Sequence, residues 1–333
     1  MIHVFIDTNI FLDFFSFAPD DLEELKKLQV AVSSGEMVLW TTSQVKDEFA
    51  RNREDQVAKS LKVLRETAPS KQGVPHIGRS LPALDELLRA KKDYGEKLNT
   101  LEEEVLQAYE HEDLAADHAL DGLWKLMKVI EADETIVSKA HRRVECGNPP
   151  GKKGSLGDAI NWECLLSEGP NDEKLYIVSN DKDFRSSVQE GRMKDVLISE
   201  WQSEKDGEVV LYQRLSDFFA DIYPRVKLAS ELERQIRVQA LVQSNSFEET
   251  HRAVQRLSGE AEFSDAQVDD LFEAATSNSQ IRWIASDQDV NSFFRNLFEV
   301  YGGRLESFEL ERFNRLYRPE DSEGYGMPGG LPF

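Results

Sequence analysis

The stretch Leu175-Tyr176-Ile177-Val178-Ser179-Asn180-Asp181-Lys182-Asp183-Phe184 decides how the rest of the chain is read. Its first four residues are apolar, two of them β-branched and one aromatic, the pattern of a strand buried on both faces. Such strands belong mostly to parallel sheets covered by helices. The apolar run stops at two carboxylates, Asp181 and Asp183. Open α/β sheets place their ligands outside the carboxyl ends of the strands, so an acidic pair at that point suggests a cation.

Outward from this strand the same grammar recurs. His3 to Ile6 reads as a first strand and ends at Asp7-Thr8-Asn9. Ile10, Phe11, Leu12, Phe14 and Phe15 follow as an apolar lead-in, and Pro19-Asp20-Asp21 starts a helix whose Leu22, Leu25, Leu28 and Val32 recur at helical spacing until Gly35. Met37 to Thr41 is a second strand. Thr42 and Ser43 cap a helix in which Val45, Glu48, Phe49 and Asn52 fall on neighbouring turns. Glu48 thus lies on or beside the inward face, an odd place for a carboxylate without a partner. Pro69 to Pro82 reads as a loop.

From Ala83 to about Val144 the spacing predicts helix and no sheet, with one long helix through Leu84, Leu98 and Val105 and another from Leu114 to Ile130. Its acidic run, including Glu102-Glu103-Glu104 and Glu110-His111-Glu112-Asp113, reads as a solvated face. Cys146 to Ser155 is a Gly-, Pro- and Lys-rich loop, and Leu156 to Leu166 is a helix with Asp158 in its first turn. Beyond the opening stretch, Val196-Leu197-Ile198 and Val209 to Tyr212 read as further strands, and Ser216-Asp217-Phe218-Phe219 begins a closing helix. The expected fold class is α/β, a parallel sheet flanked by helices over residues 1–223 with a helical insertion at about 83–144. Four or five short helices are expected in an all-helical C-terminal domain at 224–305, and a flexible tail at 306–333.

Composition narrows the function classes. Two cysteines, Cys146 and Cys164, are too few for a disulfide framework and lack metal-pair spacing, so a reducing, cytoplasmic setting is expected. The opening residues read as a strand, not a secretory leader, and no apolar run approaches the roughly 20 residues of a membrane helix. A net charge of −22 argues against gripping nucleic acid by bulk electrostatics. Converging carboxylates that hold divalent metals would supply positive charge locally instead.

Five acids end strands or open helices: Asp7, Glu48, Asp158, Asp181 and Asp183. Each alone is explained as a cap, turn former or surface charge; together they can converge on one edge of the sheet. Carboxylates so crowded repel unless neutralised. Mg²⁺ or Mn²⁺ suits an oxygen-only donor set, and two such ions about 4 Å apart can activate water and stabilise a leaving oxygen in phosphodiester hydrolysis. Neither GxxxxGK[ST] nor G-x-S-x-G is present.

The stretches Val4 to Asn9, Val45 to Phe49, Gly157 to Ile160 and Val178 to Phe184 resemble, in order, the four motifs of PIN-domain nucleases. The likeness is greatest to the larger bacterial PIN-like proteins, where a Gly-Lys-rich loop precedes the third motif. It covers roughly residues 1 to 215. What the resemblance implies is a metal-dependent endoribonuclease, with a DNase of the same fold or a non-catalytic Mg²⁺-binding interaction module as alternatives. Asp7, Glu48, Asp158 and Asp181 match the metal-holding acids, with Asp183 as a further ligand or a supporting group, and Asn9 and Ser179 match polar positions that orient Asp7. A toxin–antitoxin or phage-defence setting is implied by analogy alone.

For the nucleic-acid substrate, RNA ahead of DNA, the basic candidates are Lys152 and Lys153 in the glycine-rich loop, Arg51 and Arg53 after Glu48, and Arg185. Trp162 could stack on a base, though its helical spacing suits a core residue. The C-terminal helices are expected to carry an inhibitor, another partner protein or a second copy of the chain. Among rivals, a HAD-type phosphatase needs a second Asp where Asn9 stands, and a Toprim site gives no role to Asp7 or Asp158.

Overall fold

A computed structural model describes residues 1–16, 20–68, 77, 83–152, 155–260, 262–305 and 307–317. The chain divides into two compact units, Met1–Ala229 and Ser230–Phe333.

The first unit is built on β1 (Ile2–Ile6), α1 (Thr8–Asp13), α2 (Leu22–Ser33), β2 (Met37–Thr42), α3 (Ser43–Glu66), α4 (Ala83–Glu110), α5 (Ala115–Trp124), β3 (Lys128–Ile130), α6 (Glu134–Glu145), α7 (Gly157–Glu168), β4 (Leu175–Val178), α8 (Asp195–Lys205), β5 (Val209–Tyr212) and α9 (Leu215–Ile222). The five strands form one parallel sheet in the order β3-β2-β1-β4-β5. Val4, Phe5 and Ile6 of β1 and Leu175, Ile177 and Val178 of β4 are fully buried, which explains their continuous apolar run.

Register carries the strand ends to a common level. Ile6 stands opposite Val178, and the Asp7 amide donates to the Val178 carbonyl at 2.9 Å. The Ser179 amide donates in turn to the Tyr212 carbonyl at 2.9 Å. The residues that leave β1, β4 and β5 therefore emerge side by side.

Three expectations are corrected. Val196-Leu197-Ile198 is no strand: it lies in α8, where Leu197, Trp201 and Lys205 are buried at helical spacing while Val196 is exposed. A run of three apolar residues does not distinguish the two periods. The 83–144 segment is not helical throughout. It carries β3, whose three residues pair with Trp40, Thr41 and Thr42 of β2, so the helix expected to reach Ile130 ends at Trp124. The third correction is to the flexible tail expected from residue 306, described below. The apolar lead-in after Asp7 forms the short helix α1, with Ile10 and Phe11 buried. The helix start at Pro19 and the loop at 69–82 fall largely outside the described residues.

The second unit follows with α10 (Ala229–Val242), α11 (Phe247–Leu257), α12 (Asp265–Ser277), α13 (Ser279–Trp283), α14 (Gln288–Tyr301) and α15 (Ser307–Leu316). Ser264 and Gln267 close a capping box at the start of α12, as their spacing predicts. The core gathers Val254, Leu271, Phe294, Phe313 and Tyr317. Phe313 and Tyr317 are fully buried, and the Tyr317 hydroxyl donates to the Ala275 carbonyl at 3.0 Å, so α15 and the residue after it are anchored to the core by these two side chains. Residues 318–333 lie outside the described residues.

Candidate metal centre

Asp7 is the N-cap of α1, its Oδ1 accepting from the Thr8 amide at 2.8 Å. Its Oδ2 accepts from Asn9 Nδ2 at 2.9 Å and from Ser179 Oγ at 2.6 Å. The carboxylate is buried and its orientation is set from both the start of α1 and the end of β4. Burial is the main force raising its pKa to about 6, opposed by the Ser179 hydrogen bond and helped by the charges of Glu48 and Asp181.

Glu48 and Asp158 meet because α3 and α7 are tied at their starts. Thr42 caps α3, accepting from the Val45 amide at 3.0 Å, while its hydroxyl donates to Asn161 Oδ1 of α7 at 2.6 Å. Gly157 opens α7 where any larger residue would crowd: an added Cβ would lie 2.9 Å from Glu48 Oε2 and 3.1 Å from Gln44 Nε2. Gln44 in turn donates to Glu48 Oε2 at 3.4 Å.

The loop after β4 delivers the remaining acids. Ser179 Oγ accepts from the Asp181 amide at 3.1 Å, and Asp181 Oδ1 accepts from the Asp183 amide at 2.7 Å. Phe184 anchors the loop end in the core, where its ring meets Trp162 edge-on. Asp158, Asp181 and Asp183 each offer a carboxylate oxygen within 4.8 Å of the others. Asp7 and Glu48 are not in that triad, but both act on Asp158 electrostatically.

Electrostatics make the crowding costly. Burial first, then Asp7, Asp181, Glu48 and Asp183, push the Asp158 carboxyl up to about 8. Asp183 Oδ2 is buried with no hydrogen-bond partner among the described residues. An unpartnered buried acceptor within a cluster of acids fits a hard divalent cation, which would satisfy the oxygen and neutralise the repulsion together. The all-carboxylate donor set points the same way.

The basic candidates separate into two groups. Lys152 is exposed, its amide and carbonyl paired with those of Ser155, and Arg51 is exposed one turn beyond Glu48. Lys153 lies outside the described residues. Arg185 instead braces the fold, donating from Nη1 to Gln213 Oε1 at 2.9 Å and from Nη2 to the Asn180 carbonyl at 2.8 Å. Arg53 is likewise held by Asp117 at 2.6 and 2.8 Å. Trp162 is fully buried, with Nε1 donating to Glu200 at 2.8 Å.

Two supporting residues escape a reading of the sequence. Lys194 Nζ donates to the Asp183 carbonyl at 2.7 Å, and its amide donates to the Phe184 carbonyl at 2.9 Å, pinning the acidic loop. Its position gave no signal while residues 196–198 read as a strand. Arg143 is buried and donates from Nε to Glu163 at 2.7 Å, from Nη1 to the Pro149 carbonyl at 2.7 Å and from Nη2 to Glu200 at 2.5 Å. It joins α6, α7 and α8 to the loop that carries Lys152.

A family model described as a PIN domain matches residues 4–184, a span that holds all five acids. No curated protein and no solved structure matches the chain. No helix among the described residues is long and apolar enough to cross a membrane.

Proposed function

The chain belongs to the PIN-domain family of metal-dependent nucleases, and from that premise we propose that it is an endoribonuclease using Mg²⁺ or Mn²⁺ to hydrolyse phosphodiester bonds. The observation that carries this reading is the approach of Asp158, Asp181 and Asp183 to within 4.8 Å, with one buried oxygen unpartnered. These three residues would hold the cation, with Asp7 and Glu48 adding negative charge beside it. When bound, the cation lowers the pKa of attacking water and offsets charge on the phosphate oxygens.

The chain's own groups do the rest. Ser179 and Asn9 fix the rotamer of Asp7 by donating to one oxygen, and the Ser179 bond lowers its pKa against the larger effect of burial. Burial and the neighbouring acids raise the Asp158 carboxyl to about 8, so a cation held there would take the place of its proton. Lys152 and Arg51, both exposed, are the groups assigned to phosphate contact, since the rest of this strongly acidic chain repels phosphate. Lys153 is proposed beside them.

The test is cleavage of end-labelled single-stranded RNA and of DNA of the same sequence, with Mn²⁺ and with EDTA. Internal cleavage of RNA that EDTA stops supports the reading. Cleavage confined to DNA would overturn the choice of substrate, and cleavage of neither would overturn the nuclease assignment.

A further inference from the structure

A cavity opens beside the acidic centre. Its volume is about 580 Å³, within the range of about 300–1,000 Å³ for small-molecule sites. Asp13 and Phe14 at the end of α1, Asn180 in the β4 loop, Tyr212 and Gln213 at the end of β5 and Asp217 in α9 all line it. Asn180 directly precedes Asp181, so the cavity begins one residue from the proposed metal ligands.

We propose that this cavity receives a purine base, guanine ahead of adenine, from the nucleotide flanking the scissile phosphate; the strand it belongs to rests on the nuclease reading above. The lining is hostile to phosphate. Asp13, Asp20, Glu190 and Asp217 face it, and Arg214, the basic residue among the lining groups, is held by Asp217 at 2.6 and 2.8 Å. Such a lining admits a neutral group rich in hydrogen-bond donors and disfavours an anion.

Among the other polar lining groups Asn180 and Glu190 are exposed, which leaves the half-buried Asp13 and Gln213 to read such a ligand. Asp20 is already engaged, its oxygens accepting from the Leu215 and Ser216 amides at 2.8 and 3.3 Å. Asp13, by contrast, makes no side-chain hydrogen bond among the described residues, and its burial and the charge of Asp20 raise its carboxyl pKa. Gln213 is oriented by Arg185: a guanidinium can only donate, so the amide oxygen must face it and the NH₂ group is left to donate elsewhere. A carboxylate acceptor and an amide donor on one cavity complement the N1–H and N2–H donors and the O6 acceptor of guanine. Adenine offers a single exocyclic amine to the carboxylate, and uracil offers only one donor. Phe14 and Tyr212 also line the cavity and bring aromatic rings to it, the kind of side chain on which bases stack.

The test measures binding of guanosine, cytidine and uridine to the full chain without metal, by calorimetry, beside mapping of cleavage sites in a random-sequence RNA pool with Mn²⁺. Guanosine should bind roughly tenfold tighter than either pyrimidine nucleoside, as expected of a good bidentate contact. Asp13→Asn and Gln213→Leu should each erase that preference, and mapped sites should be enriched in G on one side. Equal binding of the three nucleosides by the unaltered chain overturns the proposal, whatever the variants do. If RNA is then cut without base preference, the nuclease reading survives alone. Selective guanosine binding without any cleavage supports the pocket and overturns the nuclease reading.

Discussion

Ser179 Oγ donates to Asp7 Oδ2 across 2.6 Å, joining the ends of two neighbouring strands through the most buried acid of the centre. This bond lowers the pKa of Asp7 while burial raises it. Ser179→Ala should therefore push the Asp7 carboxyl above its present value near 6 and leave a buried acceptor with one donor fewer, a loss of about 1–3 kcal/mol. Urea denaturation checks the stability, and Mn²⁺ titration checks for a weaker affinity that recovers as pH is raised.

The pKa values near 8 for Asp158 and near 6 for Asp7 set a pH dependence with a definite sign. Both are raised above the unfolded value, so the folded, metal-free chain binds more protons than the unfolded one between those limits. Its stability should fall as pH rises from about 4 through about 8, and most of that slope should vanish in Asp158→Asn. Cation binding displaces the same protons, so the gain in melting temperature on adding Mn²⁺ should grow over that range. Melting scans in EDTA and in Mn²⁺ across pH measure both.

Gly157 gives Glu48 room at the start of α7. Gly157→Ala sets a methyl 2.9 Å from Glu48 Oε2, so the carboxylate must move away. The expected result is a loss of cleavage of up to about 100-fold with little change in melting temperature, since a shift of about 1 Å in a positioned group can cost that much.

Arg143 serves the fold instead. Removing it leaves Glu163 buried without its partner, so Arg143→Met should destabilise the chain by about 3–5 kcal/mol in chemical denaturation. Replacing Glu163 and Glu200 as well should recover part of the loss.

The sequence was most legible where one physical rule acted alone. Fully buried parallel strands must be continuously apolar, so β1 and β4 and the acids that end them could be read directly. Capping is equally local, and Thr42, Ser246 and Ser264 all cap in the structure. Legibility failed where tertiary contacts decide. Val196-Leu197-Ile198 is as apolar as a strand, but burial of Trp201 and Lys205 makes it part of a helix. The three-residue β3 is held by pairing with β2 more than by its own composition. The family resemblance leaves Asp183 as a further ligand or a supporting group. In the structure it joins the close triad, because Asp181 turns the chain back by accepting its amide. Lys194 and Arg143 act through backbone carbonyls and distant acids, relationships with no fixed spacing along the chain.

The most direct measurement is the rate at which purified Asp181→Asn cleaves labelled single-stranded RNA in Mn²⁺, beside the unaltered chain and with its melting temperature recorded. The account predicts no cleavage above the EDTA background from a variant that melts like the parent. Cleavage at the parental rate would contradict it.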